Sequence, residues 1–199
     1  MYKIEDNFYP YHTFQLILNL IRERPDNQVP ENYDGKRISY GEARQYLTED
    51  SELLDLILSK FPYKKDYRRK IEICNDVDGF WLKPHSDHPA KREVTVIYFE
   101  GLENNGITFF SASSCTQWEN LKQKVNMKTE NNVIKKNYKE DVDLIPNRAV
   151  HFYPNSLDTY DDEWEGRHSV KKIEITVRRT VVVNYVDNTW TDIKVCYDR

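Results

Sequence analysis

The chain has 199 residues, of which 39% are hydrophobic and 31% charged, with a formal net charge of -4 and a pI near 5.8. That length suits one domain with a real core, and the acidic balance argues against a nucleic-acid substrate because it offers no basic field for phosphates. No apolar stretch approaches membrane-spanning length, the start lacks an apolar leader core, and Cys74, Cys115 and Cys196 form no CxxC pair, so the expectation is no membrane and a reducing, cytoplasmic setting.

Tyr11 to Glu23 carries Phe14, Ile17, Leu18 and Ile21 at helical spacing and is followed by Pro25, which predicts a first helix. Residues 25–40 read as a loop. Gly41 to Phe61 predicts a second helix, with Leu47, Leu53, Leu54, Ile57 and Leu58 on one side and Pro62 at its end. The basic stretch from Lys60 to Lys70 reads as a solvated helix end and loop rather than a phosphate groove.

The period then changes from helical to alternating. Strands are predicted at Lys70–Asn75, Trp81–Pro84, Glu93–Glu100, Gly106–Ser111, Ala149–Tyr153, His168–Val170, Ile173–Val186 and Thr191–Tyr197, with turns at Asp78-Gly79, Asn104-Asn105-Gly106, Pro146-Asn147 and Pro154-Asn155. Cys115 to Asp143 is rich in Lys, Asn and Glu and reads as a mobile insertion or lid. Helices followed by short strands predict a mostly β fold with N-terminal helices (α+β), in which an antiparallel double sheet rolls into a jelly roll with the helices packed on one sheet.

Three clusters carry chemistry. His85 and Asp87 are two apart, so on an extended backbone an imidazole and a carboxylate leave the same face; alone, such a triplet reads more readily as a polar turn beside Pro84 and Pro89. His168 lies far downstream, and only a fold that returns the chain could bring it to that pair. His12, His88 and His151 compete with it for the role, His151 foremost. Arg178 and Thr180 share one strand face with Val182 and Asn184, while Arg179 lies on the other. Two histidines and one carboxylate are the set that holds ferrous iron and leaves the opposite face open. A buried guanidinium wants a carboxylate partner, which a dicarboxylate co-substrate would provide.

The order of these pieces resembles the iron(II)- and 2-oxoglutarate-dependent oxygenases, and within them the prolyl-4-hydroxylase-like branch. The stretches that carry the likeness are GFWLKPHSDHPAKREVTVIYFE, NNGITFF, LIPNRAVHFYPN and RHSVKKIEITVRRTVVVNYV, which cover most of residues 71–186. The resemblance implies a double-stranded β-helix in a single domain over residues 1–199. Residues 1–69 would be its helical support and 70–199 its core, with an insertion at about 115–143. It implies that His85, Asp87 and His168 bind Fe(2+), and that Arg178, ten residues after the distal histidine, grips the far carboxylate of 2-oxoglutarate. Thr180 and Tyr98 match residues that assist it, and Arg179 stays open as the alternative anchor. Where the family usually has Gly-Gly, this chain has Asn105-Gly106.

The activity so implied is a dioxygenase reaction. O2 and 2-oxoglutarate give succinate and CO2 while an unactivated C–H of a peptidyl or small-molecule substrate is oxidised, hydroxylation being favoured by the presence of Asp87; ascorbate is an optional reductant. Trp81, Tyr153, Trp164 and Asn184 are candidate pocket walls. The acidic loop Asp158–Glu165 beside His168 suits a basic or neutral substrate better than a polyanion. Two other classes fit parts of the pattern: a cupin-like jelly roll that binds a sugar or small ligand without redox chemistry, in which His168 would point away from His85, and a degenerate oxygenase fold serving protein interaction. Oligomeric state is not legible in the residues.

Overall fold

The structure, a computed structural model, describes residues 2–23, 29–30, 37–39, 51–85, 87–88, 90–110, 138–154, 168–174, 177–190 and 196–197; at 29–30, 37–39, 51, 83–85, 110, 138–139 and 196–197 it describes the backbone alone. The elements in chain order are β1 (Tyr2–Glu5), α1 (Tyr11–Arg22), β2 (Val29–Pro30), β3 (Arg37–Ser39), α2 (Ser51–Leu58), β4 (Arg68–Asp76), β5 (Leu82–His85), β6 (Lys91–Glu100), β7 (Ile107–Phe110), β8 (Tyr138–Val142), β9 (Ala149–Phe152), β10 (His168–Val170), β11 (Arg178–Val186) and β12 (Cys196–Tyr197).

The strands form two antiparallel sheets. The larger runs β1-β9-β6-β11-β4-β3-β2, with β12 also paired to β4, and the smaller runs β5-β10-β7-β8. One face of the larger sheet carries Ile71, Ile73, Ile97, Phe99, Val181, Val183 and Tyr185, which pack with Phe14, Ile17, Leu18 and Ile21 of α1 and Leu53, Leu54 and Ile57 of α2. Each such large side chain contributes about 1.5–3 kcal/mol on burial, so these short helices are held by packing rather than by propensity. The other face, with Val94, Val96, Tyr98, Val150 and Phe152, packs onto Ile107, Phe109 and Val142 of the smaller sheet. Strand alternation therefore sorts β11: Val181, Val183 and Tyr185 face the helices, while Val182 faces the space between the sheets, and Arg178, Thr180 and Asn184 share its parity.

Two backbone devices join these layers. Asn147 adopts φ 63° in the Pro146-Asn147 turn, a conformation asparagine tolerates. Its carboxamide accepts from Tyr9 N at 2.9 Å and donates to Tyr9 O at 2.8 Å, pinning the entry to α1 onto the β8–β9 connection. At Gly106 a Cβ would lie 1.7 Å from the Val142 carbonyl oxygen, so only glycine allows the approach of β7 to the end of β8.

Several boundaries differ from the sequence reading. Tyr2–Glu5 is a strand, because it finds the exposed edge of β9. The loop at 25–40 contains β2 and β3, which pair with each other and with β4. Tyr138–Val142 is β8, paired with β7, although its polar composition places it in the insertion; residues 111–137 of that insertion lie outside the described set. Of the second predicted helix only α2 is seen, and 41–50 lie outside the described residues. The long strand predicted from Ile173 is described only from Arg178, residues 171–174 being non-strand. Finally, Arg69 and Lys70 are buried in β4 rather than solvated, Arg69 donating to the Phe61 carbonyl at 2.7 Å.

Candidate active site

β10 lies between β5 and β7, and its register places His168 opposite His85 on one side and Phe109 on the other. The imidazole of His168 is buried, packed edge-on against Phe152 at 4.8 Å between ring centroids. Its Nε2 lies 3.9 Å from Oδ2 of Asp87, which is also largely buried. The fold has thus returned the distal histidine to the earlier triplet. His85 contributes its backbone position; its side chain lies outside the described residues, and among the described residues no three His, Cys, Asp or Glu side chains converge as a metal cage.

Asp87 is held from its other oxygen by Lys91 Nζ at 2.8 Å. Burial pulls the Lys91 ammonium down, but the Asp87 and Glu72 carboxylates outweigh it and keep it above its ordinary value. Glu72 is ion-paired with Lys70, and the Lys70 ammonium sits 4.7 Å from the Trp190 ring centroid. The inward face of β4 is thus a polar stripe, Lys70, Glu72, Cys74 and Asp76, opposite the apolar Ile71 and Ile73.

Arg178 is 2% exposed and lies across from Asp76, which is fully buried. Nη1 donates to Asp76 Oδ2 at 2.5 Å, Nε donates to the Asn105 carbonyl at 2.8 Å, and the guanidinium stands 5.6 Å from the Tyr98 ring centroid. The chain itself thus supplies one carboxylate partner of the buried arginine. Tyr98 is fully buried, and its hydroxyl accepts from Ile107 N at 3.1 Å; burial pushes its ionisation up, against the opposing pull of Arg178. Thr180 pairs across the sheet with Tyr98, and its Oγ1 is buried with no hydrogen-bond partner among the described residues. Arg178, Thr180 and Tyr98 therefore meet at one end of the interior.

Arg179 faces the helices and pairs with Glu100, which also binds Arg22 of α1 at 2.9 Å. His151 also faces away from the interior: its Nδ1 is 2.9 Å from Thr95 Oγ1, Phe8 packs against its ring, and burial lowers its protonation below the ordinary 6.5. His88 accepts from Ala90 N and packs on Trp190. Among the pocket-wall candidates, Asn184 is fully buried, Trp81 half-buried and Tyr153 52% exposed; Trp164 and the acidic loop Asp158–Glu165 lie outside the described residues.

Sequence reading missed Asp76, Lys91, Glu72 and Lys70. For Lys70, Glu72 and Asp76 the signal was present in KIEICND, whose three charges all fall on one strand face, whereas Lys91 lies outside that run.

The donor set fits a divalent cation. Two metal–ligand bonds of about 2.0–2.2 Å can span the 3.9 Å between His168 Nε2 and Asp87 Oδ2, and imidazole with carboxylate is the donor chemistry of open iron sites. The orphaned Thr180 hydroxyl beside a guanidinium fits an incoming carboxylate.

No family model and no curated protein matches the chain by sequence. By structure it is similar to a Pseudomonas putida prolyl-4-hydroxylase, with TM-score 0.53 and 13% identity over 94% of this chain and 92% of that one. It is also similar to HygX from Streptomyces hygroscopicus, solved with nickel and 2-oxoglutarate bound, with TM-score 0.62 and 7% identity over 94% and 83%. A third likeness is a truncated viral collagen prolyl hydroxylase from Paramecium Bursaria Chlorella virus-1, with TM-score 0.52 and 11% identity over 94% and 89%. At these identities the likeness is one of fold: the chain shares the fold of prolyl 4-hydroxylases and other 2-oxoglutarate and iron(II) oxygenases.

Proposed function

We propose that this chain is a non-haem iron(II)- and 2-oxoglutarate-dependent dioxygenase that oxidises an unactivated C–H of a peptidyl or small-molecule substrate. In this reading residues 1–199 form one oxygenase domain. The two sheets are the halves of a double-stranded β-helix, or jelly roll, with α1 and α2 bracing the larger one. The observation that carries the reading is the juxtaposition of His168 with Asp87 at 3.9 Å and with His85 in register, together with Arg178, Thr180 and Tyr98 on the same interior. A cupin-like binder would turn His168 away from His85, whereas the two positions are cross-strand neighbours.

His85, Asp87 and His168 would hold the iron, and Arg178, with Thr180 and Tyr98, would orient the distal carboxylate of 2-oxoglutarate. When bound, the metal and keto acid supply the oxidising power from O2, releasing succinate and CO2. The chain's own work is positional. Phe109 and Phe152 pack against the His168 ring and fix its orientation. Lys91 holds the Asp87 carboxylate in place. Asp76 and the Asn105 carbonyl hold the Arg178 fork, and the apolar packing between the sheets excludes water.

The test is metal-dependent turnover of the keto acid. Purified protein with Fe(2+), ascorbate and 2-oxoglutarate should release succinate slowly without added substrate. His85→Ala, Asp87→Ala and His168→Ala should each abolish this, and His88→Ala should leave it. Undiminished succinate from His168→Ala would remove the metal assignment.

A further inference from the structure

Asn184 lies on the inward face of β11, fully buried, with neither Oδ1 nor Nδ2 hydrogen-bonded among the described residues. Buried carboxamides are almost always matched, because the water they surrender must be replaced. Here a donor and an acceptor are both left over on one rigid strand, flanked by Lys70 on β4 and Val94 on β6 in register.

The neighbourhood narrows what could match them. Lys70 is ion-paired with Glu72, and Lys91 with Asp87, whose other oxygen faces His168. Asn184 thus adjoins a line of buried charges that leads to the candidate metal, and in that line each cation already has an anion. A site without surplus charge does not hold a free ion well once water is excluded. A keto acid offers acceptors only and would leave Oδ1 unmatched. A primary carboxamide offers a donor and an acceptor side by side in one plane, the complement of another carboxamide, whereas a trans peptide bond points them in opposite directions.

We propose that Asn184 is a specificity-determining subsite for a neutral primary carboxamide of the substrate. Nδ2 donates to the amide carbonyl and Oδ1 accepts from its N–H. The inference rests on the oxygenase reading for the place of the reacting carbon beside the metal; the amide preference itself does not depend on it.

The experiment uses the full chain, alone and loaded with Zn(2+) and N-oxalylglycine. The probes are simple primary carboxamides of varied acyl group and the matching methyl esters, none carrying a second amide, titrated by ligand-observed NMR. An ester keeps the acceptor and lacks the donor, so wild type should bind at least one acyl class about tenfold or more tightly as the amide. Asn184→Leu should erase that ratio and, by removing unmatched polar atoms, raise the ligand-free thermal midpoint by roughly 2–4 °C. Equal binding of amides and esters, no amide binding at millimolar concentration, or an unchanged ratio in Asn184→Leu would overturn the proposal. So would a lowered midpoint in that variant, which would show the carboxamide to be satisfied within the fold. Loading is read separately, by zinc titration: an amide preference that persists in protein unable to bind zinc would retain the subsite and discard the oxygenase reading.

Discussion

Replacing Asp76 by asparagine separates the two roles that Arg178 can play. The substitution keeps size and an acceptor while removing the charge that faces a guanidinium only 2% exposed, across a 2.5 Å contact. Breaking a buried ion pair from one side costs about 3–5 kcal/mol. Arg178 keeps the Asn105 carbonyl, which places the expected loss at the lower end, about 3 kcal/mol. For a chain of this size that corresponds to a thermal midpoint lower by roughly 6–12 °C. If the arginine also faces the co-substrate, the keto acid's distal carboxylate becomes its replacement counter-ion. In the presence of Zn(2+), 2-oxoglutarate at a hundred times its Kd stabilises a protein by about 2.7 kcal/mol. At one fixed concentration the gain should therefore exceed the wild-type gain by at least about 1 kcal/mol in Asp76→Asn, through tighter binding. The assay is urea and thermal unfolding of both proteins with and without the keto acid. A loss below about 1 kcal/mol would refute the buried-pair energetics, and equal keto-acid stabilisation in the two proteins would refute Arg178 as the anchor.

Three further outcomes are expected from the fold. Asn147→Ala loses both buried hydrogen bonds to Tyr9 and the tolerance of φ 63°, and should cost roughly 2–4 kcal/mol in urea unfolding. Asn147→Gly restores the backbone freedom alone and should recover less than half of that. Gly106→Ala forces a methyl to 1.7 Å from the Val142 carbonyl oxygen, and should lower stability by about 3 kcal/mol or more with a matching loss of the near-ultraviolet dichroism of the packed aromatics. His151 is half-buried, and that burial holds its protonation below the ordinary 6.5. As pH falls through 6.5 the unfolded chain takes up the proton first, so stability present above 6.5 is lost towards the lower folded value. Urea midpoints should fall between pH 7.5 and 5.5, and His151→Gln should flatten that slope; an unaltered slope would assign it to other groups.

The element types were legible where side-chain period is local physics. Phe14, Ile17, Leu18 and Ile21 announce α1, and the alternation of Val94, Val96 and Tyr98 with Thr95, Ile97 and Phe99 announces β6 and its two buried faces. The site residues were legible as chemical types in order: an imidazole with a carboxylate two residues on, a distant imidazole, an arginine with a hydroxyl two residues on. Period two on β11 separated Arg178 from Arg179, and the structure keeps that separation, with Arg179 bound to Glu100 on the helix side.

What pairing decides was not legible. Tyr2–Glu5 and Tyr138–Val142 have no pattern that demands a strand; they are strands because open edges of β9 and β7 supply their hydrogen bonds. That Arg178 meets Asp76, and Asp87 meets Lys91 and His168, follows from sheet register and from the return of the chain across the smaller sheet. Charges distant in sequence find their partners only through backbone hydrogen bonds formed elsewhere, and no local preference of the residues themselves encodes those encounters.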